Sequence, residues 1–146
     1  HVHMMTRSSR GSNAVVWRAD SPDGGKTWGK MYRTKLPNNN SGLDVCKLPL
    51  SGTLVLAYNP TTDDRFPLQL AISVDNGLTW NLGHNVETES GSVKEGHEYS
   101  YPACVPWPAT AGEEGVSVSW TWHRRRPVYL SLSLAQLKDL AKPIHF

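Results

Sequence analysis

The chain has 146 residues, of which 38% are hydrophobic and 19% are charged, and its formal net charge is +2. This length accommodates one domain with one core, and six tryptophans with five tyrosines exclude a disordered tail because these rings need burial. The longest apolar run, Leu54–Tyr58, is far shorter than the roughly 18 residues of a membrane span. The small net charge indicates no nucleic-acid partner, and no signal in the sequence assigns a compartment.

Strand-like segments rich in β-branched and aromatic residues follow one another along most of the chain, separated by Gly, Asn and Asp turns. They predict eight strands, at residues 2–5, 14–18, 43–48, 53–58, 68–73, 101–105, 116–122 and 128–132. The spacing of these segments predicts an all-β fold rather than alternating strands and helices.

Only the C-terminal part predicts a helix. Ser133 and Gln136 have the spacing of a capping box. An apolar stripe follows, formed by Leu134, Leu137, Leu140 and Ala141. We expect this short helix to end before Pro143, because the residue preceding a proline disfavours helical backbone.

An eight-residue motif occurs twice, as SPDGGKTW at residues 21–28 and as SVDNGLTW at residues 73–80, a spacing of 52 residues. A period near 50 in an all-β sequence is typical of propeller blades with about four strands each. The chain therefore has room for about three blades. Because closed propellers have roughly 4–8 blades, we expect it to need further blades of its own polypeptide or a partner protein.

The motif itself predicts a hairpin turn. Its Ser and Asp side chains can accept hydrogen bonds from backbone amides, and its Gly permits a positive φ. We interpret Asp23 and Asp75 as structural rather than catalytic, and we expect Trp28 and Trp80 to be buried anchors of their turns.

This motif is the Asp-box, or BNR repeat, and the sequence resembles the sialidase (neuraminidase) superfamily. The segments PNNNSG at 37–42, GTLVLAYNP at 52–60 and EYSYPA at 98–103 follow the order seen in that family. The resemblance covers nearly the whole of residues 1–146. It implies the C-terminal half of a six-bladed sialidase-like β-propeller, about its last three blades, with the Asp-boxes on the outer rim.

The resemblance also implies a site for a sugar carboxylate, which sialidases hold with three arginines because a guanidinium pairs bidentately with a carboxylate. By their positions relative to the Asp-boxes, Arg7 and Arg65 match the second and third of these arginines. A solvated arginine at a loop edge is the alternative for each. Asn40, in the Asn-rich loop, is a further candidate for substrate binding.

The nucleophile of such enzymes is a tyrosine near the end of the chain, which precedes a serine. Tyr99, before Ser100, fits this pattern best and Tyr101 is the second choice. Strand alternation alone would place both rings on one face, so an aromatic pair is the alternative. Glu98 is expected on the opposite face and is a candidate contact to the sugar.

Other arginine, aspartate and glutamate residues of the family's site belong to earlier blades or precede residue 1, so this chain is expected to hold half a site at most. The leading interpretation is a sialidase-like glycoside hydrolase that acts, in the complete protein, on sialylated or other acidic glycans. The alternatives are a catalytically silent propeller with a structural role in an assembly, and a lectin-like propeller that binds glycans.

Several remaining features have structural interpretations. Cys46 and Cys104 are expected to be buried thiols, with a disulfide as the alternative. The histidines lack the spacing of metal ligands, so no metal or other cofactor is expected. The arginines at 124–126 are interpreted as a basic turn between the last two strands.

Overall fold

The computed structural model describes residues 1–9, 14–89, 96–109 and 112–145. It is all-β with one short helix, as predicted. The strands are β1 (Val2–Thr6), β2 (Val15–Ser21), β3 (Tyr32–Pro37), β4 (Asp44–Lys47), β5 (Leu54–Tyr58), β6 (Leu68–Ser73), β7 (Leu82–Glu87), β8 (Tyr99–Pro106), β9 (Gly115–Trp122), β10 (Arg126–Ser133) and β11 (Lys142–Pro143), and the helix α1 is Leu134–Leu140.

These strands form three antiparallel sheets in which chain neighbours pair. The first sheet is β1-β2-β3, the second is β4-β5-β6-β7 with β11 added beside β7, and the third is β8-β9-β10. Each sheet is an up-and-down meander of the kind that forms propeller blades, so the arrangement fits part of a β-propeller.

Each of the eight predicted strands coincides with an observed strand, whereas β3, β7 and β11 were not predicted. Both β3 and β7 are the strand that follows an Asp-box, and their residues are mostly exposed or half-buried. Such strands carry no strict apolar alternation, because neither face is fully covered by a core.

The second sheet lies between the two hydrophobic cores. Val55 and Ala57 of β5 pack into a core shared with the third sheet and α1, which also contains Tyr99 and Cys104. Leu56 and Tyr58, on the opposite face of the same strand, pack into a core shared with the first sheet. Strands β5 and β6 are therefore buried on both faces, which explains their nearly continuous apolar sequences.

Helix α1 begins at the predicted capping box, in which the Gln136 amide donates to the Ser133 hydroxyl and the Ser133 amide donates to the Gln136 side chain. Leu134 and Leu137 are buried and Ala141 packs against the same core, but Leu140 is exposed, so the predicted stripe is wrong at Leu140. The helix ends ahead of Pro143, as predicted. Within the described residues, no helix is long and apolar enough to span a membrane.

The two Asp-boxes form nearly identical turns. Asp75 accepts hydrogen bonds from the amides of Leu78 and Thr79 at 3.1 and 2.9 Å, and Ser73 accepts from the amide of Gly77 at 2.8 Å. The first box repeats these contacts around Asp23, at distances of 3.1, 2.9 and 2.8 Å. The predicted structural role of the Ser and Asp side chains is confirmed by these bonds.

The two box tryptophans differ in burial. Trp80 is buried in the core between the first two sheets, as predicted. Trp28 is 42% exposed, so its predicted burial is wrong. Its indole lies over Gly25 and donates to the Gly25 carbonyl at 3.1 Å, and the described residues provide no further sheet to cover it.

Candidate functional site

One end of the sheets gathers the residues that the sequence resemblance singled out. Arg65 lies in the loop after β5, and its carbonyl accepts a hydrogen bond from the amide of Tyr99 at 2.9 Å. The Asn59 side chain in the same loop donates to the carbonyls of Pro67 and Tyr99 at 2.9 and 3.1 Å. These bonds fix the Arg65 loop against the beginning of β8.

A bulge in β8 decides where the two tyrosines point. The pairing of β8 with β9 shifts register between Ser100 and Ala103, and Tyr101 has a left-handed φ of 52°. Tyr99 is fully buried, whereas Tyr101 is 61% exposed. The expectation that both rings share one face is therefore wrong, because the bulge interrupts the alternation of side chains.

Tyr99 belongs to the core between the second and third sheets. Its hydroxyl is buried and has no hydrogen-bond partner among the described residues. Burial, together with the negative charges of Glu87 and Glu89, raises the pKa of Tyr99 to about 12. The environment of Tyr99 thus disfavours its phenolate and encloses its hydroxyl.

Tyr101 lies beside Arg65, whose guanidinium carbon is 5.5 Å from the centre of the ring. This distance is within the range of a cation–π contact. Gly42 also lies close to this ring, since a Cβ at residue 42 would lie 3.4 Å from Cδ1 of Tyr101. Arg65 Nη1 is buried and has no hydrogen-bond partner in the described part of the chain.

The Asn-rich loop connects Arg7 to this group. The Arg7 side chain donates to the Asn40 carbonyl at 3.4 Å, and the Asn39 side chain donates to the Asp64 carbonyl in the Arg65 loop. Gly42 in the same loop contacts Tyr101, so the Asn-rich loop lies against Arg7, the Arg65 loop and Tyr101. The structure therefore brings Arg7, Asn40, Arg65 and Tyr101 to one region.

Glu98 immediately precedes β8 and is fully buried. Its carboxylate accepts hydrogen bonds from Arg124 Nε at 2.6 Å, Arg124 Nη2 at 3.2 Å and the Ser100 hydroxyl at 2.9 Å. Arg65 Nη1 is 3.7 Å from the same carboxylate. Burial raises the pKa of Glu98, but the hydrogen bonds from Arg124 and Ser100 and the charge of Arg65 outweigh it and lower that pKa below its usual value.

The contribution of Arg124 was missed in the sequence. The predicted basic turn between β9 and β10 is present, and its arginine at 124 reaches Glu98. Strand pairing contained the signal: Tyr99 pairs with Trp122, so the residue before β8 lies next to the residues after β9. A hairpin predicted between 101–105 and 116–122 would have placed residues 123 and 124 beside Glu98.

The Asp-boxes lie away from this region. In the second sheet Tyr58 pairs with Gln69, whereas Leu54 pairs with Ser73, the first residue of the second Asp-box. The box therefore lies at the opposite end of β6 from the loop that carries Arg65. We call Arg7, Asn40, Arg65, Glu98, Tyr101 and Arg124 the arginine–tyrosine cluster.

The described residues contain no group of three or more His, Cys, Asp or Glu side chains arranged to hold a metal ion. Cys46 and Cys104 are free and buried, as predicted. The cluster itself provides guanidinium groups, an asparagine, a phenol and a buried carboxylate. Such a set can bind an anion that has two oxygens.

A family model for the BNR repeat-like domain matches residues 1–112, and no curated protein matches the chain. Because the match covers more than half of the sequence, the chain belongs to the BNR repeat-like domain family, which supports its place in the BNR/sialidase-like superfamily. The match includes both Asp-boxes and every member of the arginine–tyrosine cluster except Arg124.

Proposed function

We propose that this member of the BNR repeat-like domain family contributes half of a sialidase-like site, at which the complete protein hydrolyses glycosides of sialic-acid-type sugars. Arg7 and Arg65 bind the sugar carboxylate, and Asn40 lines the site. One observation carries the proposal: an exposed tyrosine, Tyr101, projects from a bulge directly beside the guanidinium of Arg65.

The state of Arg65 supports carboxylate binding. Its Nη1 is buried without a hydrogen-bond partner among the described residues. An unsatisfied buried donor costs roughly 1–3 kcal/mol, so Nη1 would gain from an acceptor, and the 18% exposure of the Arg65 side chain leaves room for a ligand oxygen to approach the guanidinium. A carboxylate is the natural acceptor because its two oxygens match the two donors at one edge of a guanidinium.

The proposed nucleophile is Tyr101 rather than Tyr99, because the Tyr99 hydroxyl is enclosed in the core. The phenolic oxygen of Tyr101 bonds to the anomeric carbon while the bond from that carbon to the leaving oxygen breaks. The phenol passes its proton to a base, and the leaving oxygen takes one from an acid. Water then releases the sugar from tyrosine. The resemblance places this base and acid outside the present sequence.

The three sheets are proposed to be about the last three blades of a six-bladed propeller. In the first sheet the Asp-box lies between β2 and β3, and in the second sheet it lies between β6 and β7. The first sheet thus matches the second if one inner strand, preceding β1, is contributed by further sequence. Residues 1–146 expressed alone should then aggregate or melt broadly, and a sharp monomeric two-state transition would contradict this architecture.

A glycan-binding protein without hydrolytic activity is the second candidate, and Glu98 is the observation that favours it. This carboxylate is occupied by Arg124 and Ser100. Because both of its oxygens already accept hydrogen bonds, Glu98 is a poor proton acceptor for the Tyr101 phenol, which would need another base. A site with arginines but no base binds sugar acids without cleaving them.

The test uses the complete protein, calorimetry with N-acetylneuraminic acid and a fluorogenic sialoside assay. Arg65→Ala should weaken binding by roughly 2–5 kcal/mol, as expected for loss of one partner of a desolvated charged pair. Tyr101→Phe should keep binding and abolish turnover, while Tyr99→Phe should change neither. Binding without turnover in the wild type indicates the glycan-binding candidate, and absence of both indicates a structural subunit.

A further inference from the structure

We infer that Arg124 is a further ligand-binding residue of the arginine–tyrosine cluster. One edge of the Arg124 guanidinium holds Glu98, and its remaining N–H groups bind the same sugar carboxylate as Arg65. The inference rests on the proposed function, because the ligand is the anion proposed for Arg65. It adds a third guanidinium to those of Arg7 and Arg65, from a segment outside the region matched by the family model.

The geometry of Glu98 brings the two arginines together. Arg124 Nε is 2.6 Å and Arg65 Nη1 is 3.7 Å from the same carboxylate oxygen, Oε1. Arg124 uses Nε and Nη2 for Glu98, so both hydrogens of Nη1 point away from that carboxylate. Its side chain is 65% exposed, whereas that of Glu98 is fully buried, so a ligand can reach Arg124 but not Glu98.

The division of donors between the two arginines favours a ligand role. Glu98 accepts three hydrogen bonds from Arg124 and Ser100, and Arg65 Nη1, at 3.7 Å, is too distant from it for a fourth. Arg124 therefore compensates the buried carboxylate and leaves Arg65 Nη1 without a protein acceptor. A ligand carboxylate on the solvent-exposed side of the two guanidiniums would receive charge-assisted hydrogen bonds from both.

The turn that carries Arg124 is held in an unusual conformation. His123 and Arg124 have consecutive left-handed φ angles of 49° and 54°. Residues other than glycine rarely adopt this left-handed backbone conformation, and they keep it where surrounding contacts impose it. Here the His123 amide donates to the Glu98 carbonyl at 2.7 Å, and the Arg125 amide donates to the Trp122 carbonyl at 2.9 Å. These contacts fix the direction of Arg124.

The competing explanation is that Arg124 only neutralises Glu98. The two roles predict different effects of replacing Arg124. A ligand-binding role weakens binding of a charged ligand more than binding of a neutral one of the same shape, whereas a purely structural role weakens both equally. Calorimetry on the complete protein with N-acetylneuraminic acid and with its methyl ester separates them, using Arg124→Gln. Arg125→Gln is the matched control, because Arg125 lies in the same turn and forms no ion pair with a carboxylate of the described residues.

If Arg124 binds the ligand, Arg124→Gln should weaken binding of the acid by about tenfold or more and change binding of the ester much less. Arg125→Gln should change neither. Equal weakening of acid and ester would show a structural role only and overturn the inference, as would unchanged binding of the acid. Neither of these outcomes contradicts the proposed function. If the wild type does not bind N-acetylneuraminic acid, both the proposed function and the inference about Arg124 are wrong.

A second variant, Arg124→Lys, separates an effect on folding from an effect on ligand binding. Arg124→Lys keeps a positive charge beside the buried Glu98 but lacks the planar edge that can serve Glu98 and a ligand at once. A ligand role predicts that lysine restores the thermal unfolding temperature more completely than the affinity for the acid. Equal restoration of both would contradict the inference.

Discussion

Glu98 and His123 are joined by two hydrogen bonds that fix the beginning of β8 to the end of β9. The His123 amide donates to the Glu98 carbonyl at 2.7 Å, and the Glu98 amide donates to Nδ1 of His123 at 3.0 Å. Because Nδ1 accepts, the ring hydrogen lies on Nε2, which is 3.5 Å from Glu89. The ring packs against Trp122 and Tyr99, with centroid distances of 3.9 and 5.1 Å.

This relationship predicts that His123→Ala destabilises the protein and disturbs the cluster. The substitution leaves the buried amide of Glu98 without an acceptor, which costs roughly 1–3 kcal/mol. Urea unfolding of the complete protein measures the loss. His97→Ala is the control, since His97 is exposed and touches His123 only at the ring edge. Similar losses in both variants would show that the hydrogen bond is not responsible.

The two Asp-box tryptophans should respond differently to truncation. Trp80→Ala removes a buried ring from the core between the first two sheets and should cost roughly 3–5 kcal/mol. Trp28→Ala should cost less than half as much, because Trp28 is already 42% exposed. Chemical denaturation of the two variants tests the difference, and equal losses would contradict the burial seen for Trp28.

The fold was predictable where sequence pattern and burial coincide. Strands β5 and β6 are buried throughout, and their apolar residues mark both clearly. The octapeptide repeat predicted the turns because its hydrogen bonds are local, as the contacts of Asp75 show. Strand β7 escaped prediction because its pairing with β6 is a tertiary contact that its own polar sequence does not reveal.

The candidate site was predictable only in part. The resemblance selected Arg65 and both tyrosines, but alternation could not anticipate the bulge that separates Tyr99 from Tyr101. Arg124 was missed because its partner, Glu98, is 26 residues away in sequence. A charge run looks the same whether it is solvated or bound to a buried carboxylate, and strand register alone distinguishes the two.

Tyr99→Phe should leave the stability unchanged or raise it by up to about 1 kcal/mol. The substitution removes a buried hydroxyl that has no hydrogen-bond partner among the described residues, and burying an unsatisfied polar group is unfavourable. Urea unfolding measures the change, with Tyr101→Phe as the exposed comparison. A large destabilisation by Tyr99→Phe would show that this hydroxyl has a partner, such as a bound water.

The Asp-boxes should make the protein sensitive to acid. Hydrogen bonds from Thr27 lower the pKa of Asp23 to about 2. Burial raises the pKa of Asp75, but hydrogen bonds from Thr79 and Ser73 outweigh it and lower that pKa to about 2 as well. Unfolded aspartate has a pKa of about 3.9. Because the folded values are lower, these groups stabilise the protein above about pH 4, and their contribution is lost as the pH falls toward 2.

We therefore expect the free energy of unfolding to fall steeply between about pH 4 and pH 2, and Asp75→Asn to flatten part of that fall. The variant should be less stable than the wild type at pH 6 and nearly equal to it at pH 2, as measured by urea unfolding across this range. Asp139→Asn, at an exposed position on α1, controls for the change of net charge. If Asp75→Asn and Asp139→Asn gave the same pH profile, the acid sensitivity would come from overall charge and not from the Asp-box hydrogen bonds.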